Sequence, residues 1–349
     1  MLEPVNTLIP IQNIYYLLCY AWNKLEEKDT VDVQSLNSTQ LVDLFARVLI
    51  SGTHHLVRRG FDRGYLQFEE TTRRPRGRIS FAATLKSNLL AYGRVQCEFD
   101  ELDYNVLHNR ILRTAILNLI TADKLDNELR EGLHEVSRRL WEIEPITLSS
   151  QLFRRVQLHR NNHYYAFLLN VCELIYENLL PSENSGKATF RDFTRDEGEM
   201  HRLFQSFVKN FYLIEQRHFR VQAPKINWDA QSADIVSASF LPQMQTDVCL
   251  ISDNRKIILD CKYYKDSLQT NWGKQTVHSS ALYQIFAYVK NKEIEAGWEN
   301  CEGILLYPTV KSPLDLAYRI QDHLVKVKSI NLNQDWQSIH EDMLRVIAN

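Results

Sequence analysis

The chain has 349 residues, 44% of them hydrophobic and 24% charged, with a formal net charge of -2. These values exclude a collagen-like, low-complexity or wholly disordered chain, and the length suits two domains that each bury a core. With 41 Lys and Arg against 43 Asp and Glu, affinity for a nucleic acid has to come from local basic clusters.

The first predicted element is a helix over 9–25, in which Ile11, Ile14, Leu17, Leu18 and Ala21 make one apolar face. An Asn37-Ser38 cap starts a second helix, with Leu41, Leu44, Phe45, Val48 and Leu49 as its stripe. From Arg58 to Arg78 the period shortens toward two. The pattern predicts a β-hairpin with its tip at Thr71-Thr-Arg-Arg-Pro-Arg-Gly-Arg78 and its return arm at Arg78-Ile-Ser-Phe81. A further strand fits 94–102, and helices fit 105–120 and 128–141. The polar, weakly periodic stretch 149–162 places a domain boundary there, giving domains of 1–155 and 156–349.

The second half opens with a helix over 164–180, a loop after Pro181, and a helix from about 197 to 216. Two strands, 246–250 and 256–263, flank the turn Ser252-Asp-Asn-Arg255; a helix at 279–290 and a buried strand at 303–308 follow. The whole reads as α/β (α+β): a mixed helical N-terminal domain with a projecting hairpin, and a mixed-sheet C-terminal domain.

Six scattered cysteines without a C-x-x-C indicate neither a zinc ribbon nor a disulfide scaffold, and point to a reducing cytoplasm. The start Met1-Leu-Glu-Pro-Val-Asn lacks the basic region of a signal peptide, and no apolar run approaches the roughly 18 residues that span a bilayer. The expectation is a soluble cytoplasmic protein with no membrane partner.

The most informative stretch runs from Thr246 to Lys262. Asp247 begins one apolar strand, and Asp260 and Lys262 end another. Side chains at i and i+2 share a strand face, so Asp260 and Lys262 project together while Cys261 points into the core. A hairpin between the strands brings Asp247 alongside. Two carboxylates and a lysine at the polar end of apolar strands suit Mg²⁺, a hard cation that takes a few carboxylates and keeps waters. Such an ion assists phosphodiester hydrolysis, with the lysine holding water and stabilising developing charge. Taken alone, D-x-K also describes a surface ion pair; the second acid and the apolar strands favour a site.

The Asp…Asp-x-Lys pattern resembles the PD-(D/E)xK nuclease superfamily. Ile257-Ile-Leu-Asp-Cys-Lys-Tyr-Tyr-Lys265 followed by Gln284-Ile-Phe-Ala-Tyr288 is similar to the McrC family, nuclease subunits of McrBC modification-dependent restriction systems. Further resemblances lie in Ile9-Pro-Ile-Gln-Asn-Ile-Tyr-Tyr-Leu-Leu-Cys-Tyr-Ala-Trp22, Pro75-Arg-Gly-Arg-Ile79, Asn109-Arg-Ile-Leu112 and Gly303-Ile-Leu-Leu-Tyr-Pro308. The resemblance covers nearly the whole chain, in order.

The resemblance implies a partner, a hexameric McrB-like AAA+ GTPase that reads modified cytosine in double-stranded DNA. It implies that the N-terminal domain binds this ring and stimulates its GTPase, while the C-terminal domain cleaves DNA with Mg²⁺. By match to the motif, Asp247 and Asp260 become metal ligands and Lys262 the catalytic lysine. GTP is bound by the partner, not by this chain. The family's first helix often carries a Glu. Here Gln205 falls where a Leu-Phe-Glu pattern puts the acid, and Glu199 is the nearer carboxylate, read as an accessory ligand or, more simply, as a helix N-terminal acid opposing the dipole. Gln284 and Tyr288 share a helix face, either to contact DNA backbone or orient the lysine, or as part of a plain polar face. Lys265 reads as a phosphate contact or a solvated lysine.

Arg58, Arg59, Arg63, Arg73, Arg74, Arg76 and Arg78 crowd into one stretch. Three readings stand: a finger into the pore of a ring partner, which the McrC resemblance favours through Arg73, Arg74, Arg76 and Arg78; a DNA-backbone contact; or a charged edge that blocks strand pairing. Ser185-Gly-Lys-Ala188 only partly matches a phosphate-binding loop and lacks its first glycine and its Ser/Thr. His54, His55, His159 and His163 lack partners at metal spacing and read as surface or core histidines, and Trp272-Gly273 reads as a DNA-facing loop. The rival to a nuclease is a non-catalytic adaptor and GTPase activator with a vestigial site; a third reading is a metal-independent DNA-binding module.

Overall fold

The computed structural model describes residues 9–25, 31, 33, 40–160, 162–181, 188–231, 234–264, 269–271, 274–309 and 313–348. The chain forms two compact units: Gln40–Arg191, and Met1–Thr39 together with Asp192–Asn349. A single boundary near residue 155 is therefore corrected. The first predicted helix belongs with the C-terminal half, and the helix expected to open that half belongs to the other unit.

The first described element is α1 (Ile11–Ala21), and the inserted unit follows from Gln40. That unit contains α2 (Leu41–Arg59), β1 (Gly64–Thr72), β2 (Arg78–Ile79), α3 (Phe81–Lys86), β3 (Val95–Asp103), α4 (Leu107–Ile120), α5 (Asn127–Arg139), α6 (Ser150–Arg155), α7 (Tyr165–Asn178), β4 (Leu179–Pro181) and β5 (Ala188–Phe190). Its core is helical. Leu44, Phe45 and Leu49 of α2 are buried with Ile111, Leu112 and Ile116 of α4, Leu133 and Val136 of α5, and Val171 and Ile175 of α7. Burial of each such side chain contributes about 1.5–3 kcal/mol. Asp126 caps α5 by accepting from the amides of Glu128 and Leu129.

The arginine-rich stretch differs from the predicted hairpin. β1 pairs along its whole length with β3, and β2 pairs with the other edge of β3, so the order is β1-β3-β2. The expected return arm is displaced because the longer strand β3, arriving after α3, offers nine partners where 78–79 offers two. Gly77, at φ +70°, turns the chain where a Cβ would lie 2.4 Å from the Glu98 carbonyl oxygen. Both faces of this sheet are largely exposed; Phe68 stacks on Phe99 at 6.0 Å, and Cys97 is its one fully buried apolar side chain.

The second unit contains α8 (Glu197–Glu215), β6 (Arg220–Gln222), β7 (Lys225–Ile226), α9 (Ile235–Ser239), β8 (Met244–Gln245), β9 (Val248–Ile251), β10 (Lys256–Cys261), β11 (Gln269–Asn271), β12 (Lys274–Thr276), α10 (Ser279–Lys292), β13 (Glu302–Thr309), β14 (Asp315–Ile320), β15 (His323–Asn331) and α11 (Trp336–Val346). Its main sheet has the order β14-β15-β13-β10-β9-β6. The β10-β13 and β13-β15 pairs are parallel and the remaining pairs antiparallel. This is a mixed α/β unit with a mixed sheet. Helix α10 packs on the face bearing Ile258, with Ile285 and Val289 in the same cluster. Gly303 of β13 permits that approach, since a Cβ there would meet Ile285 at 2.8 Å.

Helix α1 joins this unit through side-chain contacts far apart in sequence. Asn13 donates to the carbonyls of Leu332 and Gln334, both at 2.8 Å, and Asn210 of α8 donates to those of Tyr20 and Ala21. Tyr16 stacks on Trp336 of α11 at 4.7 Å, and Tyr20 packs on Phe207 and Phe211. At the far end of β10, Arg255 grips Glu302 through Nε at 2.5 Å and Nη2 at 2.9 Å, and donates to the Ile347 carbonyl after α11. Among the described residues no helix is long and apolar enough to cross a membrane.

Candidate active site

The register Lys256↔Ile251 to Leu259↔Val248 continues to set Asp260 opposite Asp247. The hairpin therefore brings the two acids side by side, as the strand pattern predicts. Asp260 is 1% exposed. Cys261 points away from it into the core, with α8 packed on that side and the Tyr212 ring near the thiol.

Lys262 follows β10 and is anchored by its amide, which donates to the Leu306 carbonyl at 2.9 Å. Its Nζ lies 2.7 Å from Asp260 Oδ2. That oxygen is buried, and the lysine is its charged partner. Lys262 Nζ also donates to Gln284 Oε1 at 2.6 Å. Gln284 Nε2 donates to the Tyr288 hydroxyl at 2.6 Å, and that hydroxyl donates to the Gln245 carbonyl at 3.0 Å. The pair on α10 thus joins the lysine in one hydrogen-bonded chain that ends on the Gln245 carbonyl.

Asp247 is fixed at both oxygens. The Cys261 amide donates to Oδ2 at 2.7 Å, and Gln205 Nε2 donates to Oδ1. Sequence reasoning gave Gln205 no role; its only signal was its position in place of an acid. Glu199 lies in the first turn of α8, where its amide donates to the Asp196 cap at 3.0 Å. It is six residues before Gln205, so it stands about 9 Å back along the axis and about 240° around it. The helix therefore turns Gln205, not Glu199, to Asp247.

Burial drives the electrostatics. It pushes the Asp260 carboxyl up to about 6, against the charge of Lys262 and with that of Asp247. It raises Asp247 too, opposed by the Cys261 amide, Lys262 and Gln205. For Lys262, burial favours the neutral amine, but Asp260 and Asp247 outweigh it and hold the ammonium above its ordinary range. His201, one turn before Gln205, is lowered by burial and by the Lys262 charge, against Asp260.

Two converging carboxylates, one of them almost fully buried beside a lysine, match the few carboxylates that Mg²⁺ takes from a protein. Among the described residues no group of three His, Cys, Asp or Glu side chains is arranged to hold a metal, which separates this donor set from an all-protein cage. Tyr264 stacks on His278 at 4.3 Å beside the site. Lys265, Trp272 and Gly273 lie outside the described residues, as do Asn37, Ser38 and 185–187.

In the inserted unit, Arg59 and Arg63 face the rings of Tyr164 and Tyr104 at 4.3 and 4.1 Å. Arg76 lies 3.8 Å above the Phe99 ring and pairs with Glu70 at 2.9 Å. Arg73, Arg74 and Arg78 are exposed.

The model of the family described as McrBC 5-methylcytosine restriction system component matches residues 11–308. A curated relative, the type IV methyl-directed restriction enzyme EcoKMcrBC of Escherichia coli K12, is 34% identical over 346 residues, covering 99% of this chain and 98% of its own. Among solved structures, a refined half-complex from a tetradecameric assembly of Thermococcus gammatolerans McrB AAA+ hexamers with bound McrC aligns at TM-score 0.60 and 17% identity. It covers 97% of this chain and 76% of that chain, a likeness of fold.

Proposed function

Because the chain belongs to the family of McrBC 5-methylcytosine restriction system components, we propose that it is an McrC-type, Mg²⁺-dependent endodeoxyribonuclease with a PD-(D/E)xK core. It works in the cytoplasm with an McrB-like AAA+ GTPase hexamer on DNA carrying modified cytosine. The observation that carries this reading is the convergence of Asp247, Asp260 and Lys262 at the polar end of β9 and β10, with the Lys262 ammonium 2.7 Å from a buried Asp260 oxygen. Six free, buried cysteines fit a reducing compartment.

Asp247 and Asp260 would hold the Mg²⁺. When bound, the ion supplies Lewis-acid polarisation of the scissile phosphate and a lowered pKa for an attacking water. Lys262 stays protonated and offers its ammonium to the phosphate as charge develops. Gln284 and Tyr288 hold that ammonium in place, so its orientation is set before DNA arrives. The exposed sheet of the inserted unit, with Arg73, Arg74, Arg76 and Arg78 at its end, is the surface assigned to the GTPase ring. GTP belongs to that partner, whose turnover this chain stimulates.

The test is cleavage of cytosine-methylated plasmid by the full chain with its GTPase partner, GTP and Mg²⁺, with GTP turnover read in the same tubes. Wild type is expected to cut, and Asp260→Ala to stimulate GTP turnover without cutting. If both stimulate GTP turnover and neither cuts with any divalent metal, the chain is an adaptor and activator with a vestigial site.

A further inference from the structure

An ionised carboxylate has about four lone-pair sites on two oxygens. At Asp247 one site on each oxygen is taken by a donor from a different element: the Cys261 amide of β10 on Oδ2, and Gln205 Nε2 of α8 on Oδ1. One donor alone leaves a carboxylate freer to turn about its Cβ–Cγ bond. Two donors on opposite oxygens fix its plane and leave the remaining lone pairs for a cation. The Cys261 amide cannot be displaced without breaking the strand. The Gln205 amide is the part of the arrangement that side-chain identity controls.

The base of Gln205 is itself rigid. Its neighbours Phe204, Phe207 and Val208 are fully buried on α8, so the helix cannot roll to withdraw the amide. Glutamine has the reach of glutamate but donates where glutamate accepts. A carboxylate at 205 would meet Asp247 with like charge and without a proton to share. An apolar residue would leave Oδ1 without its donor.

We propose that Gln205 is a positioning residue that holds Asp247 in its cation-binding orientation and, being neutral, keeps the site at two carboxylates. This rests on the reading of Asp247 and Asp260 as metal ligands. Partners of this kind, one step removed from the ion, typically change metal affinity about 10–100-fold when lost.

The probe is Mn²⁺, counted by electron paramagnetic resonance of the free ion against the full chain without DNA or partner, with circular dichroism and Tm recorded alongside. The variants are Gln205→Leu, Gln205→Glu and Asp260→Asn. Wild type is expected to bind Mn²⁺ and Asp260→Asn to bind none at this site. Gln205→Leu should keep its fold and bind about 10–100-fold more weakly. Gln205→Glu should lose Tm without metal and regain more on adding Mn²⁺ than wild type does, because a bound cation would offset the added negative charge. A folded Gln205→Leu with wild-type Mn²⁺ affinity overturns the proposal. Should that variant not fold, a Gln205→Glu protein with unchanged affinity and unchanged metal-dependent Tm overturns it equally. If wild type binds no Mn²⁺, the metal-site reading itself falls, an outcome distinct from failure at Gln205 alone.

Discussion

Tyr288 decides which end of the Gln284 amide faces Lys262. Its hydroxyl has one proton, which it donates to the Gln245 carbonyl at 3.0 Å, so it accepts from Gln284 Nε2 at 2.6 Å. The amide oxygen is thereby turned to the Lys262 ammonium at 2.6 Å. Without the hydroxyl the amide is free to turn its NH₂ toward the lysine, where two donors repel.

Tyr288→Phe should therefore reduce cleavage more than it reduces stability. The misplaced lysine costs roughly 10–100-fold in cleavage rate, while loss of the hydroxyl's hydrogen bonds costs about 1–2 kcal/mol of folding free energy. Stimulation of the partner's GTPase should not change. Single-turnover cleavage and a denaturant titration separate the two effects, and equal cleavage rates in Tyr288→Phe and wild type would show that the relay does not hold the lysine.

Asp260 should make the folded chain less stable in the absence of metal. Its folded-state pKa, about 6, lies above its ordinary value of 3.8, so the folded state binds the proton more tightly than the unfolded one. The sign is that stability falls as pH rises from about 4 through about 6, and the deficit is complete at pH 7. Asp260→Asn, which cannot ionise, should raise the metal-free stability at pH 7 by on the order of 1–2 kcal/mol, with a higher Tm, and lose that advantage near pH 4. Added Mg²⁺ should stabilise wild type and not the variant. Thermal melts at both pH values, with and without Mg²⁺, check each part.

Glu302 behaves in the opposite sense. Burial works to raise its pKa, but Arg255 and Lys326 outweigh it and hold the carboxyl below its ordinary 4.5. Lys326 Nζ lies 3.1 Å from Oε2, completing the grip of Arg255. The stability from this group is fully present above about 4.5 and is lost as pH falls through the depressed folded value. Glu302→Gln should cost roughly 1–3 kcal/mol at pH 7, less than a fully buried pair. It should also flatten the acid limb of the stability curve, as read by urea midpoints between pH 7 and 3.

What was legible in the sequence was local. The i, i+2 alternation put Asp260 with Lys262, a short antiparallel turn put Asp247 beside them, and the i, i+4 spacing put Gln284 with Tyr288. Each relation spans one strand, one turn or one helix face. The position of α1 was not legible, because Asn13 reaches Leu332 and Asn210 reaches Tyr20 across most of the chain. No local period carries that information, and a linear boundary near 155 was the result. The strand order β1-β3-β2 was hidden for a similar reason: β3 arrives after α3 and outcompetes the nearer return arm. The role of Gln205 is not legible in the sequence, because a neutral amide announces no chemistry until its acceptor is known.

The four arginines of the exposed sheet do not stand alike. Arg76 is committed to its own unit: it lies over Phe99, pairs with Glu70 at 2.9 Å and approaches Glu101 at 3.8 Å. Half-exposed contacts of this kind contribute about 0.5–1 kcal/mol each, so Arg76→Ala should lower the Tm of the inserted unit while weakening partner contact only through the shape of the tip. Arg73, Arg74 and Arg78 are exposed, and their combined replacement by Ala should leave stability within about 0.5 kcal/mol. If these three serve the GTPase ring, the triple variant should lose GTPase stimulation at wild-type Tm, with DNA affinity of the isolated chain unchanged. If they serve DNA, the isolated chain should instead lose salt-dependent DNA affinity, with a shallower slope against log salt, while GTPase stimulation persists. Paired titrations of the same protein against partner and DNA at two salt concentrations distinguish these outcomes, and a triple variant unchanged in both would leave the arginines as a guard against strand pairing at an exposed sheet edge.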